Sequence, residues 1–354
     1  MAAKRILIDD GLSTLGCSAG VGNYSRMLYS SLTDYIKKSG ADMEIAYRRY
    51  GYLSLFPRAA RRLLYLGMIN LSSPDADICH FTNHYMPTLK SRRKKYVFTV
   101  HDLGVWSLPH MFRRSYAGFV KPLIARGVRS ADLIITVSET IKREIIETFN
   151  ISENRVFVCP NAVRPLFRPL AGYPRKDYIL FVGNTDRHKN IETLVRAFAL
   201  LKEKEEYAKL RLIIAGSKRA GYESAARESV ARGVSDSVWM PGYIDDAELL
   251  NLYNGAEALI APSIYEGFGI PVVEAMACGA PVIASDIPVF REVAGDAALF
   301  YGPPEDEYLL FKAIDGLLSN EKLRDRMVSK GMDNARRYSP EACAKNHIEA
   351  YEAV

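Results

Sequence analysis

The residues of this 354-residue chain that could do chemistry concentrate in two short segments. The first, Pro262 to Val282, reads PSIYEGFGIPVVEAMACGAPV and sets Glu266 and Glu274 on either side of seven residues that include the turn Gly267-Phe268-Gly269. Ile270 and Pro271 should open a helix, because proline costs nothing in a first helical turn. A glycine turn feeding a helix start presents backbone N–H groups and a positive dipole end. Such a mouth suits a phosphate, or a polyhydroxylated ring pressed against the backbone. Glu274 would lie one turn inside, where a carboxylate accepts hydrogen bonds from two vicinal hydroxyls. The second segment, Val182 to Asn190 (VGNTDRHKN), follows a strand and precedes a helix. Gly183, Arg187 and Lys189 there combine a flexible turn with two cations, which is what a diphosphate requires. Positive charge at a helix start opposes the dipole, so the placement invites an anion.

These segments need elements to position them. Short apolar runs alternate with helical patterns along the chain, the signature of parallel sheets with crossover helices. Strands are expected near 5–9, 44–48, 78–81, 96–100, 133–137 and 156–158, then near 178–182, 211–215, 237–240, 258–261, 281–284 and 298–301. Between the two series, Arg164 to Pro174 carries three prolines and a glycine and makes a natural linker. The expected class is α/β, two doubly wound domains over 1–168 and 169–337, with a C-terminal helix over 338–354 packing back on the first. Ligands of open parallel sheets sit outside the carboxyl ends of the strands, so the expected site is the cleft between the domains.

Composition narrows the function classes. Residues 1–170 carry 25 Lys and Arg against 13 Asp and Glu, and residues 171–354 carry 22 against 28. The basic half suits a phosphate-bearing or membrane-surface partner. Three clusters supply it: Arg58, Arg61 and Arg62 in an amphipathic stretch, Arg92 to Lys95, and Arg113-Arg114. There is no apolar run of membrane-spanning length, and Met1 to Asp10 reads as a strand rather than a secretion signal, so a cytoplasmic location is expected. Five scattered cysteines without a C-x-x-C pair fit a reducing compartment and buried packing roles.

The string EGFGIPVVEAMACGAPVIAS, followed by Ser285-Asp286-Ile287-Pro288 and Glu292 to Ala297, resembles the hallmark of the retaining glycosyltransferases of family 4, which have the GT-B fold. The resemblance extends from the glycine loop near Gly16 to Tyr338–Ala342. It implies a nucleotide-sugar donor held mainly by the second domain, with Glu274 on the ribose and Glu266 and the backbone of Gly267, Phe268, Gly269 and Ile270 toward the transferred sugar. Lys189 matches the family's phosphate-binding lysine, while Asn184 stands where many members carry arginine, leaving Arg187 as its substitute. Gly16, Gly20 and Gly22 resemble the loop that approaches donor phosphate and acceptor, and His101-Asp102 resembles the pair beside the donor sugar in mannosyltransferase-like members. His101 follows a strand, and its imidazole can hydrogen-bond a sugar hydroxyl in either protonation state.

His80 and His84, near Cys79, lack metal spacing and are assigned to acceptor lining or core. Asp75-Ala76-Asp77 precedes its strand and is read as a solvated loop rather than a metal pair, so no metal or other cofactor is expected. The implied reaction is hexosyl transfer from a GDP- or UDP-hexose, with a mannose-type GDP donor favoured, to a lipid-linked or polysaccharide acceptor at the inner membrane face. No nucleic-acid partner is expected. Rival readings are a nucleotide-sugar epimerase or a phosphorylase on the same fold, or a non-catalytic, membrane-docked subunit.

Overall fold

The computed structural model describes residues 3–11, 19–50, 53, 55–71 and 75–354. The chain forms two compact units, Met1–Ala162 together with Pro340–Val354, and Val163–Ser339. Each is built on a six-stranded sheet whose strand pairs are all parallel. In the first unit the strands are β1 (Lys4–Asp9), β2 (Met43–Arg48), β3 (Ile78–Phe81), β4 (Lys95–Val100), β5 (Leu133–Thr136) and β6 (Val156–Val158), in the spatial order β2-β1-β3-β4-β5-β6. In the second they are β7 (Tyr178–Val182), β8 (Arg211–Ala215), β9 (Val238–Gly242), β10 (Ala258–Ala261), β11 (Val282–Ser285) and β12 (Ala298–Tyr301), in the order β12-β11-β10-β7-β8-β9. All of these fall where the apolar runs of the sequence put them, with ends differing by a residue or two.

The strands read as near-continuous apolar runs because helices cover both faces of a parallel sheet. ICHF, LIIT, ALIA and VIAS are buried at every position. In the second unit Ile179, Phe181, Leu212, Ile214, Ile260 and Ile283 of the sheet meet Leu194 and Phe198 of the helix Ile191–Lys202 and Leu310 and Ile314 of the helix Glu307–Leu318. Caps fix the helix entries: Ser138, Asp245, Asp306 and Asn320 each accept a hydrogen bond from a backbone N–H three residues on. Strand order reverses between β1 and β3 in one sheet and between β7 and β10 in the other, and those reversals open the crevices where such sheets take ligands.

The units divide at 162/163, a few residues before the 168/169 boundary placed in the proline-rich linker, and at 339/340, two residues after the expected 337/338. The linker is not a free tether. Arg164 pairs with Asp246, Phe167 packs edge-on against Tyr253 at 5.4 Å, and the Leu170 N–H donates to Asn254 Oδ1 at 2.7 Å, all within the second unit.

The closing helix Pro340–Glu352 belongs to the first unit. Its buried Tyr351 and Ile348 pack with Leu28, Ile78 and Val97, and Lys4 Nζ donates to the Tyr351 carbonyl at 2.8 Å. Truncating Tyr351 to alanine should cost about 3–5 kcal/mol in urea unfolding monitored within the first unit. A loss below about 1 kcal/mol would show that this helix is not part of that core.

Candidate functional site

The loops that leave β7 and β10 meet at the reversal point of the second sheet. Asn190, in the left-handed region at φ 55°, donates through Nδ2 to the carbonyls of Pro262 at 3.1 Å and Pro304 at 2.7 Å. The Ile264 N–H donates to the His188 carbonyl at 2.8 Å. Held this way, Lys189 reaches across, and its Nζ donates to Glu266 Oε1 at 2.6 Å. Ser263 Oγ donates to the same oxygen at 2.8 Å, and Ser285 Oγ in turn donates to the Ser263 carbonyl at 2.5 Å. Lys189 and Glu266, 77 positions apart in sequence, thus form a partly buried ion pair, with 19% and 15% of their side chains exposed.

A second seam joins the β7 loop to the β8 loop. Thr185 Oγ1 accepts from the Arg219 N–H at 2.6 Å, and the Thr185 carbonyl accepts from the Gly221 N–H, also at 2.6 Å. Gly216, at φ 142°, lies so near the β7 loop that a Cβ there would come within 1.9 Å of the Gly183 carbonyl oxygen. Only glycine permits that approach. Gly183 and Asn184 are half-buried on this turn and Arg187 is exposed.

The second glutamate is in a different environment. The helix Ile270–Ala277 starts at Gly269, whose φ of 94° and 2.7 Å Cβ distance to the Phe290 ring both require glycine. Proline stands in the first turn, as expected. Glu274 is buried inside this helix, its Oε1 accepting from Arg164 Nε at 3.3 Å and its Oε2 from the Tyr253 hydroxyl at 3.1 Å. Burial pushes its carboxyl up to about 7 against the opposing pull of Arg164. Phe268 is a core residue by its side chain, lying edge-on to Tyr338 at 5.3 Å, so only its backbone belongs to the helix mouth.

In the first unit, His101 stands immediately after β4, and its Nε2–H donates to the Thr82 carbonyl at 3.1 Å. A carbonyl only accepts, so the lone pair is on Nδ1. Its ring meets the Tyr24 ring edge-on at 4.7 Å, and burial holds its pKa below the usual histidine value. Asp102 Oδ1 accepts from the Gly104 N–H at 2.9 Å, and nearby His84 is pushed down to about 4 by burial, with Asp102 opposing that shift. His80 is core: its Nδ1 and Nε2 meet the Tyr351 hydroxyl at 2.7 Å and Thr99 Oγ1 at 2.6 Å. Gly22 is buried within the helix Ala19–Ser39, whereas Gly16 and Cys17 lie outside the described residues. Asp75 and Asp77 sit at the amino ends of β1 and β3, paired with the Arg5 side chain and its backbone N–H respectively.

The structure therefore brings Lys189 and Glu266 into contact and gives Glu274 its own partners, while His101 belongs to the other unit. Sequence reasoning passed over Thr185, Ser263, Arg164 and Tyr253. Arg164 was visible only as part of a proline-rich string. The buried Asp9 was also passed over; its carboxylate accepts from Arg48 at 2.8 Å, Tyr50 at 2.9 Å and Tyr65 at 2.7 Å. The paired acids closing the first strand, Asp9-Asp10, were its signal.

Comparison with known proteins gives two family matches. Residues 164–333 match the family described as glycosyl transferases group 1, and residues 33–165 match glycosyltransferase family 4. The O-antigen chain mannosyltransferase B of Escherichia coli is 30% identical over 290 residues, covering 78% of this chain and 74% of that protein. The O-antigen chain mannosyltransferase RfbU of Salmonella typhimurium is 33% identical over 228 residues, 64% of this chain and 61% of that one. Among solved structures, sucrose-phosphate synthase from Thermosynechococcus elongatus superposes with a TM-score of 0.74 at 21% identity, covering 99% of this chain and 98% of that one.

Replacing Gly269 by alanine forces both a left-handed residue and an overlap with Phe290. Denaturant unfolding should register a loss of about 1–3 kcal/mol. An unchanged midpoint would mean that the turn has another conformation.

Proposed function

The chain belongs to the glycosyltransferases of group 1 and family 4, and from that premise we propose that it moves a mannose-type hexose from a GDP-linked donor to a hydroxyl of a lipid-linked or polysaccharide acceptor, with retention of configuration. The observation that carries this reading is the Lys189–Glu266 pair at the reversal point of the second sheet. An ammonium has three N–H donors, of which Glu266 takes one, so Lys189 can keep its carboxylate and still bind a phosphate oxygen. Arg187 adds an exposed cation from the same turn, and the helix mouth at Gly269–Ile270 adds dipole and backbone charge. Together they balance the diphosphate that forms as the sugar departs.

In this reading the bond between C1 and the phosphate oxygen breaks while the acceptor oxygen bonds C1 on the same face. The acceptor proton passes to the departing diphosphate. The protein supplies position and electrostatics. Glu266, tied through Oε1 to Lys189 and Ser263, holds ring hydroxyls, and Glu274 takes the ribose. His101 and His84 are neutral near pH 7 because both are buried, and the free Nδ1 lone pair of His101 can accept from a sugar hydroxyl. The mannose preference rests on the relatives' names.

The membrane-facing part of the reading rests on the first unit's surface. Leu64, Leu89, Tyr116 and Phe119 are exposed, and so are Arg92, Arg93, Arg113 and Arg114. Asn70 Oδ1 accepts from the Leu89 N–H at 3.1 Å, and Tyr85 meets Phe119 at 6.5 Å. Mixed apolar and basic surface suits an anionic bilayer. Among the described residues no helix is long and apolar enough to cross a membrane.

Incubation with GDP-mannose and a membrane extract should release GDP, incubation with UDP-glucose should release no UDP, and NMR of the product should show the donor's anomeric configuration preserved. An inverted product, a sugar still attached to nucleotide, or phosphate-dependent release would each overturn the proposal. Lys189→Ala should lower turnover by about 10²-fold or more with the circular dichroism unchanged. The protein should also co-sediment with phosphatidylglycerol vesicles and detach as salt is raised. Equal binding to neutral vesicles would remove the electrostatic part of the reading.

A further inference from the structure

Glu274 is positioned by a residue from well outside the glutamate segment. Arg164 is the second residue of the second unit, 110 positions before Glu274. Its guanidinium bridges two carboxylates, donating through Nε to Glu274 Oε1 at 3.3 Å and through Nη1 to Asp246 Oδ2 at 2.7 Å. It also lies over the Phe167 ring at 4.5 Å from the centroid, and that ring packs edge-on against Tyr253. Tyr253 completes the arrangement by donating to Glu274 Oε2.

We infer that Arg164 is a positioning residue for donor binding, holding the Glu274 carboxylate ionised and in one orientation so that it can accept the two ribose hydroxyls. The inference rests on the assignment of Glu274 to the ribose made above. A planar guanidinium stacked on an aromatic ring and fixed by a second carboxylate has little freedom, so the glutamate it holds is fixed too. The charge matters as much as the geometry. A buried carboxyl without a cation protonates, and it then loses the charge-assisted hydrogen bonds that a carboxylate accepts from both hydroxyls.

Burial already pushes Glu274 up to about 7 with Arg164 in place. The groups acting on it are few. Asp246 opposes ionisation, the Tyr253 phenol favours it, and the Cys278 thiol beyond the end of its own helix is pushed up to about 12 by burial and is neutral. On the neighbouring helices, Arg291 is engaged with Asp286, and Asn334 donates to the Met276 sulfur at 3.5 Å. Arg164 is therefore the cation that sets the Glu274 charge.

The test is the pH dependence of GDP and of UDP affinity, each measured alone by calorimetry, for the wild-type full chain and for Arg164→Gln, Arg164→Lys and Glu274→Gln. Wild-type affinity should fall as pH drops through about 7. In Arg164→Gln that midpoint should rise by about 1–3 pH units, which weakens binding at pH 7 about fivefold or more and restores it in alkali. Arg164→Lys, which keeps the charge, should shift the midpoint less and guards against a folding defect in the glutamine variant. Glu274→Gln should be flat with pH. Uniform weakening of Arg164→Gln with an unmoved midpoint, or no weakening, overturns the inference while leaving Glu274 on the ribose. Wild-type affinity in Glu274→Gln overturns the ribose assignment itself, and the Arg164 role with it.

Discussion

Charge at the carboxyl end of a parallel sheet must find a partner, because strands buried on both faces leave little water beside the loops that cap them. In the second unit that partner is found across the reversal of strand order. Lys189 comes from the loop after β7 and Glu266 from the loop after β10, and these strands are neighbours only because the chain turned back after β9. The pair would be costly if either member were removed, since each is mostly withdrawn from solvent. Several neighbouring features serve to hold it: Asn190 clamps Pro262, His188 clamps Ile264, and Ser285 fixes Ser263, which in turn fixes Glu266. The glycines at 216 and 269 belong to the same frame, because they let one loop touch its neighbour and let the helix begin where it does.

The first unit uses a comparable device at its core. The buried ring of Tyr24 touches His101 on one side, and its hydroxyl meets His347 Nε2 on the closing helix at 2.9 Å. His347 Nδ1–H donates to the Cys343 carbonyl at 2.8 Å, which leaves Nε2 as the acceptor for tyrosine. The last helix thus does more than cover apolar surface, since its His347 holds the Tyr24 hydroxyl whose ring packs against His101 at the end of β4. Such networks stabilise only when every member is satisfied, and here His80, Thr99 and Tyr351 close the chain of bonds.

Strand positions were legible in the sequence because parallel strands are apolar on both faces, so ICHF or VIAS has no polar alternation to confuse it. The glutamate segment was legible for a related reason: glycine, proline and acid in that spacing have few structural uses. The contacts between segments were not legible. Nothing local in VGNTDRHKN says that its lysine meets Glu266, because that contact depends on the order in which strands assemble. Arg164 was hidden by its context, since prolines marked the stretch as a linker while the side chain packs into the second unit. The domain boundary was displaced for the same reason.

Glu266 and Glu274 are the same residue in one short segment, yet the fold makes them different tools. Glu266 lies on a loop and faces a lysine, whose flexible stem and rotatable ammonium let the contact be shared with an arriving anion. Glu274 lies inside a helix and faces a stacked guanidinium and a phenol, neither of which can move without disturbing Phe167 and the core beneath. A group that must respond to a leaving diphosphate gains from the first arrangement, because its partner's charge can be redistributed as bonds change. A group that must recognise an unreacting part of the donor gains from the second, because rigidity there converts binding energy into orientation at the reacting carbon. The spacing of the two glutamates matters for this division: seven intervening residues take the chain from loop to buried helix, and so from adaptable to fixed electrostatics.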